Sequence, residues 1–335
     1  MIRRRFVSTI ALALVSGRSY GFPPGARATT PDRVRRIGFI SMRSGPGEFD
    51  AAFRDALRGL GYVEGRTIEI EYGWAAESGK RAEELAARLA GRNVEVIVAA
   101  TTVAIRAAMR ATTTIPIVMA AAADPVASGL VASLSRPGGN VTGLSLTSTD
   151  TGAKRLQLLR EVVPAVRRVA ALLVERGSPD DTAINARLVE ELQTAARRLG
   201  ITLTSTTVRA AGEIPAAFAT IRRQDAKALF VPVNSLVLDN RARIIELAAE
   251  HRLPTMYELE GFVTAGGLLS YGPSVTDMYR RAATYVDRVL KGASPAELPI
   301  EQPAVFRLAV NLRTAEALAL RIAPALMARA DVVVR

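Results

Sequence analysis

A chain of 335 residues with 49% hydrophobic and 23% charged side chains is long enough for two cores and too apolar for disorder. It has no cysteine, which excludes disulfides, thiolate metal sites, a cysteine nucleophile and lipid attachment at an N-terminal cysteine. Of the formal charge of +12, five units come from Arg3, Arg4, Arg5, Arg18 and Arg27; the remaining +7 is dispersed among acids with no interleaved aromatic residues, so no nucleic-acid platform is indicated.

Residues 1–28 read as a leader. Arg3-Arg4-Arg5 is a basic start, Val7 to Val15 is an apolar run, and Ala26-Arg27-Ala28 fits a small-x-small cleavage site, the three parts of a secretory signal peptide. The run is too short to cross ~30 Å of hydrocarbon, which takes ~20 helical residues. Arg3-Arg4-Arg5-Phe6 also resembles the start of a twin-arginine signal, and the export route stays open. The mature chain is therefore expected free in the periplasm.

After the leader, the apolar run Arg36-Ile-Gly-Phe-Ile-Ser41 predicts a strand, and Phe49, Ala52, Phe53, Ala56, Leu57 and Leu60 mark the inner face of a helix that Gly61 ends. Thr67 to Tyr72 alternates as a strand. A helix near 79–90 stopped by Gly91, a strand at Val94 to Ala99, a helix from about 102 and a strand at Ile115 to Met119 follow. Such alternation predicts a parallel sheet covered on both faces. From Val169 the order restarts: a strand to Val174, a helix carrying Leu188, Leu192, Ala195, Ala196 and Leu199 and ending at Gly200, strands at 201–208 and 227–233, a helix at about 239–251, and short strands near 254–257 and 267–271. Leu199-Gly200-Ile201 repeats Leu60-Gly61-Tyr62, and the shared element order argues for an internal duplication. The last elements, a helix at Tyr279 to Leu290, a strand at Ala304 to Val310 and a helix at Arg313 to Leu320, are too few for a third domain. The predicted fold is α/β, with two doubly wound parallel-sheet lobes joined by a multi-strand hinge: residues 29–149 plus about 273–335 in the N-terminal lobe, and 150–272 in the C-terminal lobe.

Ligands of open parallel sheets bind outside the carboxyl ends of strands, where helix N-termini offer free N–H groups. That rule selects Ser41, Met42, Thr101, Thr102, Ala123, Asp124, Asn234, Tyr257, Glu258 and Tyr271 as candidate ligand-binding residues. Thr101, Thr102 and Asp124 fit helix caps equally well, and the two tyrosines fit ordinary sheet-edge positions. Glu258 is the candidate partner for a ligand ammonium. No catalytic or metal-binding set is expected, and no cofactor. His251, the one histidine, falls at a helix end, and phosphate-loop, zinc-protease and dinucleotide fingerprints are all missing.

Several strings are more specific. Gly61-Tyr-Val-Glu-Gly65, Thr113-Thr-Ile-Pro-Ile-Val118, Ala123-Asp-Pro-Val126, Gly129-Leu-Val-Ala-Ser-Leu134, Arg136-Pro-Gly-Gly-Asn-Val-Thr-Gly143, Lys154-Arg-Leu-Gln-Leu-Leu-Arg160, Gly266-Gly-Leu-Leu-Ser-Tyr-Gly272, Leu298-Pro-Ile-Glu-Gln-Pro303 and Asn311-Leu-Arg-Thr-Ala-Glu-Ala317 together resemble the ABC-transporter substrate-binding family with tryptophan- and tyrosine-binding members. The resemblance implies a type I periplasmic binding-protein fold with three inter-lobe linkers, a small-molecule ligand that is best an amino acid, and permease and ATPase subunits at the inner membrane as partners. It also implies that Thr101, Thr102 and Asp124 lie in the loops that hold a ligand carboxylate, and that Asn234, Tyr257 and Glu258 lie on the facing wall. The loop Ser41-Met-Arg-Ser-Gly-Pro-Gly47 departs from a variable family segment, with Met42 or Arg43 set to alter the pocket, so the ligand stays open. A ligand sensor docking on a membrane receptor is the alternative, and an enzyme the third reading.

Overall fold

A computed structural model describes residues 33–146, 151–175 and 179–335, with backbone only at 180 and 181. The leader lies outside the described residues. From Val34 onward the chain forms one compact unit.

The first lobe is built from β1 (Arg35–Ser41), α1 (Glu48–Gly59), β2 (Ile68–Trp74), α2 (Gly79–Ala90), β3 (Val96–Ala100), α3 (Thr102–Ala111), β4 (Ile117–Ala122) and β5 (Val141–Ser145). All five strands are parallel, in the order β2-β1-β3-β4-β5. Strands β3 and β4 are buried along their whole length, which is why their sequences are continuous apolar runs without alternation.

The second lobe contains α4 (Thr151–Val162), β6 (Arg168–Val174), α5 (Pro179–Arg198), β7 (Thr202–Val208), α6 (Ile214–Arg223), β8 (Ala228–Val231), α7 (Ser235–Asp239), α8 (Arg241–Glu250), β9 (Thr255–Tyr257), α9 (Glu260–Thr264) and β10 (Leu269–Pro273). Its parallel strands run β7-β6-β8-β9-β10. This is the strand order of the first lobe repeated, which turns the two matched Leu-Gly turns into part of a duplicated architecture. Both turns work the same way. Gly61 (φ +93°) and Gly200 (φ +64°) are left-handed, and the next N–H returns to a carbonyl five residues back, Tyr62 to Leu57 and Ile201 to Ala196, both at 2.9 Å. That closure satisfies the last helix carbonyls. Gly91 ends α2 as expected, but with φ −77°; the left-handed residue after that helix is Asn93.

The chain then changes lobes. Helix α10 (Val275–Leu290) packs on α1, β3, β4 and β5 of the first lobe. Residues 298–301 stay there: the Thr142 hydroxyl donates to Leu298 O at 2.7 Å, and Ser145 N–H to Glu301 O at 2.9 Å. The Arg281 guanidinium grips the Glu301 carboxylate through two parallel bonds of 2.7 Å, the strong bidentate geometry, and this pairing holds the carboxyl below its usual range.

Beyond this point the expected lobe boundary needs correction. Strands β11 (Phe306–Asn311) and β12 (Val332–Val334), with α11 (Leu312–Ala317) and α12 (Pro324–Met327) between them, extend the second sheet, β11 pairing antiparallel with β10. Only the stretch from α10 to Glu301 rejoins the first lobe. The reason is burial: Leu308, Val310, Ala315 and Leu326 share a core with Leu269 and Met256 of the second lobe, and β10 would otherwise present an open edge. The chain thus crosses between lobes three times, between Leu146 and Thr151, at Pro273–Ser274, and between Glu301 and Phe306.

Candidate functional site

In the first lobe, β1, β3 and β4 are neighbours, so the loops after them open side by side. Ser41 is buried; its Oγ accepts the Arg43 N–H at 3.3 Å and its carbonyl accepts the Ala75 N–H at 2.9 Å. Met42 turns the other way. Its side chain is 1% exposed and belongs to the core with Ile40 and Ala75. Arg43 is the residue of that loop that reaches outward.

After β3, Thr101 sits at φ +93°, ψ +149°, a region essentially reserved for glycine. A β-branched residue there carries strain of roughly 1–3 kcal/mol. A register shift between Ala99 and Ala100 sets up this exit. The strained backbone lets the Thr101 hydroxyl accept the Ala104 N–H as the cap of α3, at a long 3.5 Å. It also seats Thr102, 3% exposed, with an Oγ1 that has no hydrogen-bond partner among the described residues. Thr101→Gly is expected to raise stability by roughly 1 kcal/mol, the strain relieved less the entropy of a new glycine and a weaker cap. A urea midpoint lower than that of the parent would show that the conformation is not strained.

After β4, Ala123 and Asp124 are half-buried and lead into a turn instead of the helix that Asp124-Pro125 suggested. Asp124 Oδ1 accepts the Ala127 N–H at 2.9 Å, and Oδ2 lies 3.8 Å from Arg187 of α5 on the other lobe.

In the second lobe, β8, β9 and β10 are likewise adjacent. Asn234 caps α7, its Oδ1 accepting the Val237 N–H at 2.9 Å. Tyr257 does not face the cleft. Its ring is 1% exposed and stacks on Phe262 with centroids 4.7 Å apart, and complete burial pushes the phenol well above its usual pKa. The period-two alternation of a three-residue strand puts Tyr257 on the core side and Glu258 beyond it.

Glu258 is engaged within its own lobe. Its Oε1 accepts from Arg155 Nη1 at 2.7 Å, and Arg155 Nε–H donates to the Tyr271 carbonyl at 2.7 Å. The two side chains are 7% and 15% exposed. The carboxylate expected to await a ligand ammonium is neutralised by the chain itself. Tyr271 is half-buried, and its ring stacks on Phe306 at 5.7 Å. His251 is the C-cap of α8 and stacks on Phe218 at 5.8 Å.

The two rows of loops meet. Asp239, at the end of α7, takes the Arg43 Nε–H and the Ser44 N–H, each at 2.8 Å, and Arg241 bonds Glu48 at 3.2 Å. The lobes are therefore drawn together around the strand ends. Beside them lies a cavity of about 340 Å³ that both lobes line, with Phe49, Leu238, Phe262 and Val275 among its apolar members and Glu48, Arg241, Glu260, Asp277, Arg280 and Arg307 as charged ones. None of the ten expected residues lines that cavity; it flanks the strand ends. Arg43, Arg155, Arg187 and Asp239 carry the main contacts around the site. Of these only Arg43 lies in a loop that the sequence singled out, and its partner Asp239 is 196 residues away.

A family model described as ABC transporter substrate binding protein matches residues 37–334. A tyrosine-binding protein of Clostridioides difficile (strain R20291) is 26% identical over 297 residues, 87% of this chain and 83% of that protein. A conserved domain protein of Vibrio cholerae has a crystal structure that matches at TM-score 0.82 and 28% identity, over 90% of this chain and all of that one. A domain from Streptococcus pneumoniae in complex with L-Trp matches at TM-score 0.81 and 24% identity, with the same coverage. Among the described residues no helix is long and apolar enough to cross a membrane. The two lobes, wound alike and linked by three crossings, form the type I periplasmic binding-protein fold, and the chain belongs to the ABC transporter substrate-binding protein family.

Proposed function

We propose that the protein is the periplasmic solute-binding component of an ABC importer and that it carries an amino acid, with an aromatic side chain the best fit, in the cleft between its lobes. The observation that carries this reading is the pair of loop rows at the carboxyl ends of the two parallel sheets, which meet across the lobes. Among the described residues the buried Thr102 hydroxyl has no hydrogen-bond partner, and it stands at the start of the ten-residue helix α3, where N–H groups and the helix dipole favour a carboxylate. The tyrosine-binding relative and the L-Trp complex support an aromatic amino acid. The leader supports export. Closure over a ligand is a population shift, because contacts to both lobes favour the closed form that a permease then recognises.

Titration calorimetry of the mature protein against tyrosine, tryptophan, phenylalanine and their decarboxylated amines tests this. The amino acids should bind and the amines should bind at least about 100-fold more weakly, because an unpaired buried hydroxyl and helix N-terminus lose their anion. Thr102→Val should weaken the amino acid by about 10-fold, one lost hydrogen bond to a charged group. Equal affinity for acid and amine would overturn the carboxylate site, and no binding by any amino acid would overturn the ligand class.

A further inference from the structure

We infer that the cleft carries a charge latch that holds the two lobes together without a ligand. Its members are two ion pairs of opposite polarity set side by side. The first lobe supplies a cation and then an anion, Arg43 and Glu48; the second supplies an anion and then a cation, Asp239 and Arg241. Asp239 is held by both its oxygens, Oδ1 to Arg43 Nε and Oδ2 to the Ser44 N–H. The Arg43 and Asp239 side chains are only 20% and 17% exposed, so water screens this pair less than an ordinary surface bridge.

The backbone makes room for both cations in the same way. A Cβ on Gly47 would stand 2.1 Å from Arg43 Nη1, and a Cβ on Gly261 would stand 2.8 Å from Arg241 Nη1. Each guanidinium therefore lies across a glycine on its way to the other lobe. Neither Gly47 nor Gly261 has a left-handed φ, so their conformation does not demand glycine. What a side chain there would do is displace the arginine. The buried Asp50 carboxyl, which accepts the Gly47 N–H at 2.7 Å, adds a second acid near Arg43.

Alternating signs give the latch register as well as attraction. Sliding one lobe past the other by one position sets like charges opposite each other, and opening breaks both pairs together. A third contact, Arg187 to Asp124 and to the Ala127 carbonyl, ties the loop after β4 to α5. The consequence is a closed fraction in the ligand-free protein that depends on ionic strength, beyond and independent of which ligand the cleft takes.

The chain has no cysteine, so spin labels on Lys80→Cys and Lys227→Cys, one in each lobe and both exposed, report the inter-lobe distance cleanly. The protein is refolded from denaturant and dialysed so that it holds no ligand. At low salt it should show a dominant short distance. In 0.5 M sodium chloride, and in the double variant Asp239→Asn with Glu48→Gln, the closed-to-open ratio should fall about 10-fold, the scale expected for two partly screened pairs. Gly47→Ala, which keeps every charge and only displaces Arg43, should open the cleft in the same direction. Glu48→Arg with Arg241→Glu should restore the short distance that Glu48→Arg alone destroys. Circular dichroism on each variant confirms folding. Distance distributions unchanged by salt, by the neutralised pairs and by Gly47→Ala would overturn the latch, and because no ligand is present that result leaves the amino-acid reading untouched.

Discussion

Glu258→Ala is expected to lower the melting temperature of the ligand-free protein by about 6–10 °C, from a loss of about 3–5 kcal/mol. The pair it breaks is nearly dry, with Arg155 7% and Glu258 15% exposed in their side chains. Taking two charges out of water is costly, and their attraction offsets that cost only while both are present. Among the described residues, removing the acid leaves the Arg155 guanidinium held by the Tyr271 carbonyl alone. Glu258→Gln should cost about half as much, because an amide oxygen still accepts a hydrogen bond. Arg155→Met combined with Glu258→Leu should recover most of the stability, since no charge remains buried. Thermal denaturation followed by circular dichroism checks each step. The deficit must appear without ligand; a Glu258→Ala protein as stable as the parent when empty, and defective only in binding an amine-bearing ligand, would return the carboxylate to the cleft.

Gly272→Ala is the second large effect, with an expected cost of about 3 kcal/mol, the upper part of the range for overpacking. A Cβ at that position would lie 2.0 Å from the Glu258 carbonyl oxygen and 3.0 Å from its carbon. Both are backbone atoms, so no side chain can rotate away. The glycine sits where β10 leaves its parallel neighbour β9, one residue before the crossing at Pro273–Ser274. A methyl group there must either push the two strand ends apart, dislodging the Tyr271 carbonyl from Arg155, or bend the linker that joins the lobes. Gly59→Ala provides the control. It lies at the end of α1 with nothing within 4 Å of its Cβ position, and should stabilise by about 0.5–1 kcal/mol, the usual preference of a helix for alanine. Equal urea midpoints for the two variants would refute the close-approach reading of Gly272.

The lobes could be read from the chain because their signals are local. A buried parallel strand is a run of apolar residues, an amphipathic helix shows its period, and a left-handed glycine such as Gly61 or Gly200 marks the turn between them. The same reasoning located the loops after β1, β3, β4, β8 and β9, since the carboxyl end of a strand is fixed once the strand is. What a loop position does not fix is the direction of a side chain. Met42 and Tyr257 are apolar or amphipathic groups with a core one step away, and burial drew both inward.

The sequence by itself determined that the chain folds as two similar α/β lobes, that its first residues have the pattern of a leader, and that its strings belong with a substrate-binding family. Only the tertiary structure decided the partners of its charges. Glu258 meets Arg155 across 103 residues of chain, and Arg43 meets Asp239 across 196; neither separation leaves a periodic trace. It also decided that β11 and β12 complete the second sheet, because an open strand edge and an apolar surface choose their cover by proximity in space, which sequence order does not encode.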